Sequence, residues 1–224
     1  MLSAEAIVEL HDRQTRAWHH AQGDTPPEAH SEDLTGVLPE AGVTPFSDSA
    51  REWLDLVARQ HQANFRLWHI EDEARIPAAT DSELANVKRR IDRVNQQRND
   101  LAEELDRTLL AWLDQQSLPN PTAPLHSESP GLIIDRLSIL ALKIYHTREE
   151  TERTDAPAGH SVRNLDRLRI LEEQRSDLAQ CLDELWNETL NGTRRFRLYR
   201  QLKMYNDPLL NPAIYRKSIE VASE

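Results

Sequence analysis

The chain has 224 residues, one cysteine and only six glycines, and its formal net charge at pH 7 is −11. A single cysteine excludes an internal disulfide and a cysteine-based zinc site, and so few glycines argue against glycine-rich phosphate-binding loops. The acidic balance argues against nucleic acid as a partner, because phosphate neutralisation needs a basic surface. No apolar run approaches the ~20 residues of a membrane span and the N-terminus lacks signal-peptide character, so we expect a cytoplasmic protein.

Helical periodicity dominates the sequence, and no strand-like alternation competes with it. Thr80 and Glu83 have the spacing of a helix-starting capping box, and Gly192 has the position of a C-cap. Proline-rich stretches predict loops over 23–46 and 117–130. We therefore predict a single all-α domain over 1–224 with an irregular tail from 208. Its helices are expected at about 3–21, 47–75, 81–116, 131–152, 161–190 and 193–206.

The sequence repeats itself without a gap at an offset of 77 positions, so that His69 matches His146 and Arg98 matches Arg175. The repeat halves, about 50–116 and 130–192, then each form a helical hairpin, and the two hairpins pack as a four-helix-type bundle with pseudo-twofold symmetry. The alternative is a coincidence of helical composition. Residues 11–19 weakly echo residues 61–69, because both segments start and end with histidine.

Two arginines interrupt apolar helix faces: Arg98 lies within the leucine-rich stripe of its helix, and Arg175 lies at the equivalent position. A buried guanidinium is costly without an acidic partner or a bound anion. In the first interpretation both arginines form structural ion pairs, Arg98 with Asp72 and Arg175 with Glu149 or Asp135. In the second they line a polar pocket between the halves. The acid–base candidates of that pocket are His69, Asp72, Asp135, His146 and Glu149.

The same residues offer little to a metal ion. His69-x-x-Asp72 and His146-x-x-Glu149 could each present two ligands, but the arginines on the facing helices would repel a cation. We therefore expect no metal, and we expect His19 and His20 at the surface. An Mg²⁺ site is the alternative, on a weak similarity to all-α nucleotide pyrophosphohydrolases. Its ligands would be Asp72, Glu103, Asp106 and Glu149.

A basic segment follows the second half, with four arginines over residues 194–200. It predicts a phosphate-binding surface or, alternatively, a helix that docks on the acidic bundle through salt bridges. Together with the internal arginines, the candidates for binding a phosphorylated ligand are Arg98, Arg175, Lys143, Lys203, Tyr205 and Asn206.

Several motifs resemble an uncharacterised bacterial family of all-helical proteins. They are DRLSILALKIYH at 135–146, LKMYNDP at 202–208, WHIEDEAR at 68–75 and NQQRND at 95–100. The resemblance implies an association with gene neighbourhoods for glycosyltransferases and cell-surface polysaccharide synthesis, and it implies no catalytic residues. We therefore expect a protein of envelope polysaccharide synthesis that binds a phosphorylated sugar or nucleotide-sugar. The alternatives are an Mg²⁺-dependent all-α phosphohydrolase and a non-enzymatic protein that binds a protein partner.

Overall fold

The structure, a computed structural model, describes residues 3–20, 47–202 and 209–212, without the side chains of 47–50. Five α-helices and no named strand occupy these residues, which confirms the all-α prediction, and each helix starts and ends within two residues of its predicted bounds. The helices are α1 (Ala4–His20), α2 (Ser47–Glu73), α3 (Asp81–Asp114), α4 (Pro130–Glu152) and α5 (His160–Leu190). No helix in these ranges is both long and apolar enough to cross a membrane.

Helix α4 is the centre of the bundle. Helices α2 and α3 form one hairpin, α4 and α5 form the other, and all four remaining helices contact α4. The sequence of α4 places apolar residues on all faces of the helix. These residues are accordingly buried among Leu56, Leu105 and Leu182 of the neighbouring helices. Helix α1 lies outside the two hairpins and packs on α2, α4 and α5.

The two hairpins follow the predicted internal repeat. A shift of 77 positions moves α3 onto residues 158–191, and α5 spans His160–Leu190. Residues near a twofold axis contact their own symmetry equivalents, and two such pairs do so here. His61 is hydrogen-bonded to Ser138, 77 positions away, and the rings of His69 and His146 lie 6.0 Å apart. The axis of the duplication therefore runs between α2 and α4.

Two helix starts are fixed by side chains. Thr80 and Glu83 form the predicted capping box at α3. At α4 the buried Asp106 accepts a hydrogen bond from the backbone N–H of Gly131 at 2.7 Å and another from the Ser129 hydroxyl. Burial raises the pKa of Asp106 to about 6. Asp106, proposed above as an Mg²⁺ ligand, thus holds the N-terminus of α4 instead.

The segment after α5 differs from the prediction. Helix α5 ends at Leu190 with Asn191 as its C-cap, and Gly192, the predicted cap, follows with φ of 70°. Residues 193–202 of the predicted last helix are not helical, and its residues 203–206 lie outside the described residues. Phe196 is buried against Trp186 and Leu113, and the backbone of Arg195 bonds to residues 124 and 126 of the preceding loop. These tertiary contacts override the local helical tendency.

Substituting Gly131 with alanine is expected to destabilise the fold. A Cβ at this position of α4 would lie 2.3 Å from the carbonyl oxygen of Ala102 on α3. Backbone on both sides resists movement, so we expect a loss of about 1–3 kcal/mol in urea unfolding. Lys143→Ala, at an exposed position of the same helix, is the control. Equal stability of the two variants would contradict the close approach.

Candidate functional site

Arg98 is held entirely by polar side chains of the bundle. Its guanidinium contacts Asp135 Oδ2 at 3.3 Å, Asn64 Oδ1 at 3.2 Å and Asn95 Oδ1 at 2.9 Å. Burial raises the pKa of Asp135, and the charge of Arg98 opposes that shift. The expected pairing of Arg98 with Asp72 is wrong, because Asp72 is exposed on α2. Asp135 of the other half takes its place.

Arg175 is paired outside the duplicated halves. Its Nη1 lies 2.8 and 2.9 Å from the two carboxylate oxygens of Asp12 on α1. Glu149 and Asp135, its expected partners, contact His146 and Arg98 instead. The symmetry of the two arginines is therefore broken by α1, and neither guanidinium depends on a bound anion for its charge partner.

Further hydrogen bonds continue from Asp135 through the centre of the bundle. The Asn64 amide donates to Asp135 and to the Ser138 hydroxyl, and His61 bonds through Nδ1 to Ser138 at 2.7 Å. The Nε2 of His61 bonds to the Thr15 hydroxyl on α1 at 2.9 Å. Polar side chains thus connect both hairpins and α1 in the interior, where each group must find a partner.

Three histidines come together where this network reaches α1. His19, His69 and His146 belong to α1, α2 and α4, and each offers a ring nitrogen within 4.8 Å of the others. His19 was expected at the surface, and it is instead half-buried. Its ring stacks on Tyr145 at 4.2 Å and lies 4.9 Å from the ring of His146. We call His19, His69 and His146 the histidine trio.

Hydrogen bonds at Nδ1 decide the tautomers of two members of the trio. Nδ1 of His19 lies 2.7 Å from the Thr15 carbonyl oxygen, and Nδ1 of His146 lies 2.9 Å from a carboxylate oxygen of Glu149. Both oxygens accept, so both Nδ1 atoms carry the proton. Burial also lowers the pKa of His19, which favours its neutral ring. In their neutral rings the Nε2 atoms of His19 and His146 present lone pairs, and both atoms are buried with no hydrogen-bond partner among the described residues.

Aromatic rings enclose the trio on one side, and a cleft adjoins it on the other. Phe65 lies 4.5 Å from the ring of His69, and Trp68 stacks on His146 at 4.9 Å. The cleft, of about 260 Å³, lies along α1 and α4 and is lined partly by Thr15, Tyr145 and Glu149. These three residues also contact members of the trio, whereas none of the three histidines lines the cleft itself.

The remaining sequence candidates do not join this site. Asp72 and Lys143 are exposed, and Glu103 accepts a hydrogen bond from the backbone of Gln201. The proposed Mg²⁺ ligands Asp72, Glu103, Asp106 and Glu149 therefore do not meet at one point among the described residues. Three further candidates lie outside the described residues: Lys203, Tyr205 and Asn206.

Sequence reasoning placed His69, His146 and Glu149 in a common pocket but missed His19, Thr15 and Tyr145. One signal could have found His19. The echo between residues 11–19 and 61–69 aligns His19 with His69, and the ring centroids of these two histidines lie 5.3 Å apart.

The Arg98–Asp135 pair is expected to show strong energetic coupling. Arg98→Met leaves a largely buried carboxylate without its guanidinium, which costs about 2–4 kcal/mol. Adding Asp135→Asn removes that charge while an amide oxygen still accepts from Gln60 and Asn64. The double variant should therefore regain more than about 1 kcal/mol over the sum of the single changes in urea unfolding. Additive losses would show that the pair is not coupled.

Acid should destabilise the protein through His61 and His11. Burial lowers the pKa of His61 to about 3, and it lowers the pKa of the stacked, fully buried His11 well below its usual value. Between about pH 6.5 and 3 the unfolded chain then binds more protons, so the free energy of unfolding falls as pH falls. Each buried histidine contributes up to about 1.4 kcal/mol per pH unit. The raised pKa of Asp106 acts in the opposite direction between about pH 4 and 6.

The contribution of His61 can be isolated by comparing variants across pH. When urea unfolding is measured from pH 7 to 4.5, His61→Gln should reduce the slope of the unfolding free energy against pH by the equivalent of about one bound proton. His20→Gln, at an exposed position of α1, is the control and should show the same slope as the unaltered protein. A His61→Gln slope equal to that of the control would contradict the buried neutral state of His61.

Comparison with known proteins adds a family but no named activity. No curated protein and no solved structure matches the chain. One family model, described as "Protein of unknown function (DUF4254)", matches residues 54–198. The match includes His69 and His146 of the trio, while His19 precedes it. Because the match covers more than half of the chain, the protein belongs to this family of unknown function.

Proposed function

We propose that the protein binds one divalent transition-metal ion through the histidine trio and uses it as a catalytic centre. The proposal rests on the buried Nε2 atoms of His19 and His146, which have no hydrogen-bond partner in the part of the chain that the structure describes. A buried nitrogen without a partner costs about 1–3 kcal/mol, so its presence calls for an explanation. Both lone pairs belong to a group whose ring nitrogens lie within 4.8 Å of one another.

The surroundings of the trio match those of metal-binding histidines. Such histidines donate their second ring N–H to a carboxylate or a backbone carbonyl, which fixes the tautomer and the ring orientation. Glu149 accepts this bond from His146, and the carbonyl of Thr15 accepts it from His19. The neutral His19 ring favoured by burial is the form that binds a metal.

The distances fit a metal after a modest contraction. Nitrogens that share a tetrahedral ion at about 2.0–2.1 Å lie about 3.3 Å apart. The trio nitrogens, within 4.8 Å of one another, must therefore approach by up to about 1.5 Å when an ion binds. Imidazole ligands favour zinc, iron, copper or nickel over Mg²⁺. This preference also replaces the carboxylate-based Mg²⁺ site considered from the sequence.

The arginines that argued against a metal in the sequence do not oppose one here. Arg98 and Arg175 are each paired with a carboxylate, of Asp135 and Asp12, so their charges are largely compensated. Glu149, at the outer side of His146, adds a negative charge close to the trio. The local electrostatics therefore favour a cation more than the sequence suggested.

Three protein ligands leave at least one coordination position for water or substrate, as in catalytic zinc sites. An ion held by His19, His69 and His146 would lower the pKa of a bound water to about 7 and so supply the hydroxide nucleophile that a hydrolytic reaction needs. A role in envelope polysaccharide synthesis stays a prediction from the family resemblance, and a cytoplasmic location stays a prediction from the sequence of the N-terminus.

Metal titration tests the proposal directly. The protein is stripped with a chelator and titrated with Zn²⁺, Fe²⁺, Co²⁺ and Ni²⁺ under reducing conditions, and bound metal is counted by elemental analysis. We expect one ion per chain and a rise in Tm with metal, because binding to the folded state alone stabilises it. His69→Ala and His146→Ala should weaken binding at least 100-fold. Glu149→Gln should weaken it about 10–100-fold by releasing the His146 ring.

Two controls separate a metal site from a structural cluster. His126→Ala removes a histidine beyond the opposite end of α4, where its Nδ1 bonds to the Glu128 carbonyl, and should leave metal binding unchanged. Without metal, His146→Ala loses the stacking on Trp68 and the bond to Glu149, so its Tm should fall; the readout is therefore the rise in Tm on adding metal, which this variant should lose. Failure of all four metals to bind would overturn the proposal. So would stoichiometric binding that survives His146→Ala.

A further inference from the structure

We infer that Trp68 and Tyr145 are positioning residues of the proposed metal centre, and that each holds the imidazole of a trio histidine on another helix. These roles rest on the proposed function, because they concern how strongly the trio binds an ion. They follow from a threefold arrangement of α1, α2 and α4 around the trio, which the sequence motifs and the contacts between these helices support without reference to a metal.

The three trio helices carry the same short motif. A basic residue stands three positions before each histidine of the trio, and a large aromatic residue stands directly before it. The motif reads RAWH at 16–19, RLWH at 66–69 and KIYH at 143–146. Helix α1 lies outside the duplicated halves and nevertheless repeats the motif that the duplication placed on α2 and α4.

The three helices also run in the same direction. The rings of His11 and His61 lie 4.4 Å apart, and the rings of His19 and His69, eight positions later on each helix, lie 5.3 Å apart. Helices α1 and α2 are therefore parallel and in register. The two contacts that place the duplication axis between α2 and α4 are eight positions apart as well, so α4 is parallel to both.

The outer helices hold α1 and α4 in the same way. Asp106 of α3 accepts a hydrogen bond from the backbone N–H of Gly131, at the start of α4, at 2.7 Å. Asp183 of α5, which follows Asp106 by 77 positions, accepts one from the backbone N–H of Ala4, at the start of α1, at 2.9 Å. Helix α5 thus relates to α1 as α3 relates to α4, and the trio helices follow one another in the order α2, α4, α1.

The aromatic residues of the motif contact the histidines in that order. Trp68 of α2 stacks on His146 of α4, with 4.9 Å between the ring centroids and 8° between the ring planes. Tyr145 of α4 stacks on His19 of α1, with 4.2 Å between the centroids and 19° between the planes. Each of these rings precedes the histidine of its own helix and covers the histidine of the next.

The third position departs from this order. Trp18 of α1 also contacts α2, but its ring stacks on His61 at 5.3 Å, eight positions before His69. The ring of His69 lies 4.5 Å from Phe65, at 62° between the planes. Stacking on a trio histidine of the next helix is therefore confined to Trp68 and Tyr145 among the motif residues.

Such stacking strengthens metal binding in two ways. An imidazole that is already held in place loses less side-chain freedom when it binds the ion. Coordination to a cation also withdraws electrons from the imidazole, and the negative face of an aromatic ring favours an electron-poor partner. The usual strength of stacked aromatic pairs corresponds to about 2–10-fold in affinity for each ring.

Metal affinities of single variants test these roles. The chelator-stripped protein is titrated with Zn²⁺ and Co²⁺. Trp68→Leu and Tyr145→Leu should each weaken binding about 2–10-fold, and Trp68→Phe, which keeps a stacking ring, should recover most of the loss. The visible absorption of bound Co²⁺ should also shift in both leucine variants, because a ligand imidazole changes its orientation.

The control is Trp112→Leu. Trp112 is half-buried like Trp68, and it packs on Trp186 near the end of α3 that is remote from the trio. This variant should lose stability as Trp68→Leu does, but it should keep the metal affinity and the Co²⁺ absorption of the unaltered protein.

The outcomes separate the positioning roles from the metal centre itself. If the unaltered protein binds neither metal, the metal centre fails and the positioning roles fail with it. If the unaltered protein binds metal and both leucine variants bind it equally well, the metal centre stands and the positioning roles are overturned. Equal losses of affinity in Trp68→Leu and Trp68→Phe, or in Trp68→Leu and Trp112→Leu, would also overturn them, because the loss would then not depend on the stacked ring.

Discussion

The contact between α2 and α4 contains buried polar side chains beside its apolar ones, and the arrangement of the bundle depends on satisfying them. His61 and Ser138 hydrogen-bond across the interface, and Asn64 donates to both Ser138 and Asp135. Apolar surfaces tolerate small shifts along a helix, whereas buried donors and acceptors lose their partners when the helices slide. These bonds therefore fix how the two hairpins meet.

That register also determines where the histidines meet. His69 follows His61 by eight positions, and His146 follows Ser138 by eight positions. Eight residues of helix advance about 12 Å in both cases. Once His61 faces Ser138, His69 faces His146 at the same depth of the interface. The duplicated halves thus supply two symmetry-related histidines, and α1 supplies the asymmetric third together with Thr15, whose hydroxyl and carbonyl hold His61 and His19.

The sequence predicted the helices and their pairing well because both depend on local or repeated patterns. Periodicity, the Thr80–Glu83 capping box and the repeat predicted the starts and ends of α2 to α5 to within two residues of those in the structure. The partners of Arg98 and Arg175 were predicted wrongly, because a choice among several acids depends on helix rotation and on the position of α1. The extended course after Gly192 follows from burial of Phe196, which no local signal shows. His19 was missed because the α1 echo was too weak to place that helix beside the axis.

Because the three trio histidines lie on three separate helices, an ion bound there would cross-link those helices. Two of these histidines belong to hairpins that already pack on each other, whereas the third belongs to a helix separated in the chain from α2 by residues 21–46. Occupancy of the trio and docking of α1 are then thermodynamically linked, and the linkage acts equally in both directions. Metal supply would set how tightly the first helix closes over Thr15 and the central network. Hydrogen exchange in α1, far slower with the ion than without it, would be the signature of that closure.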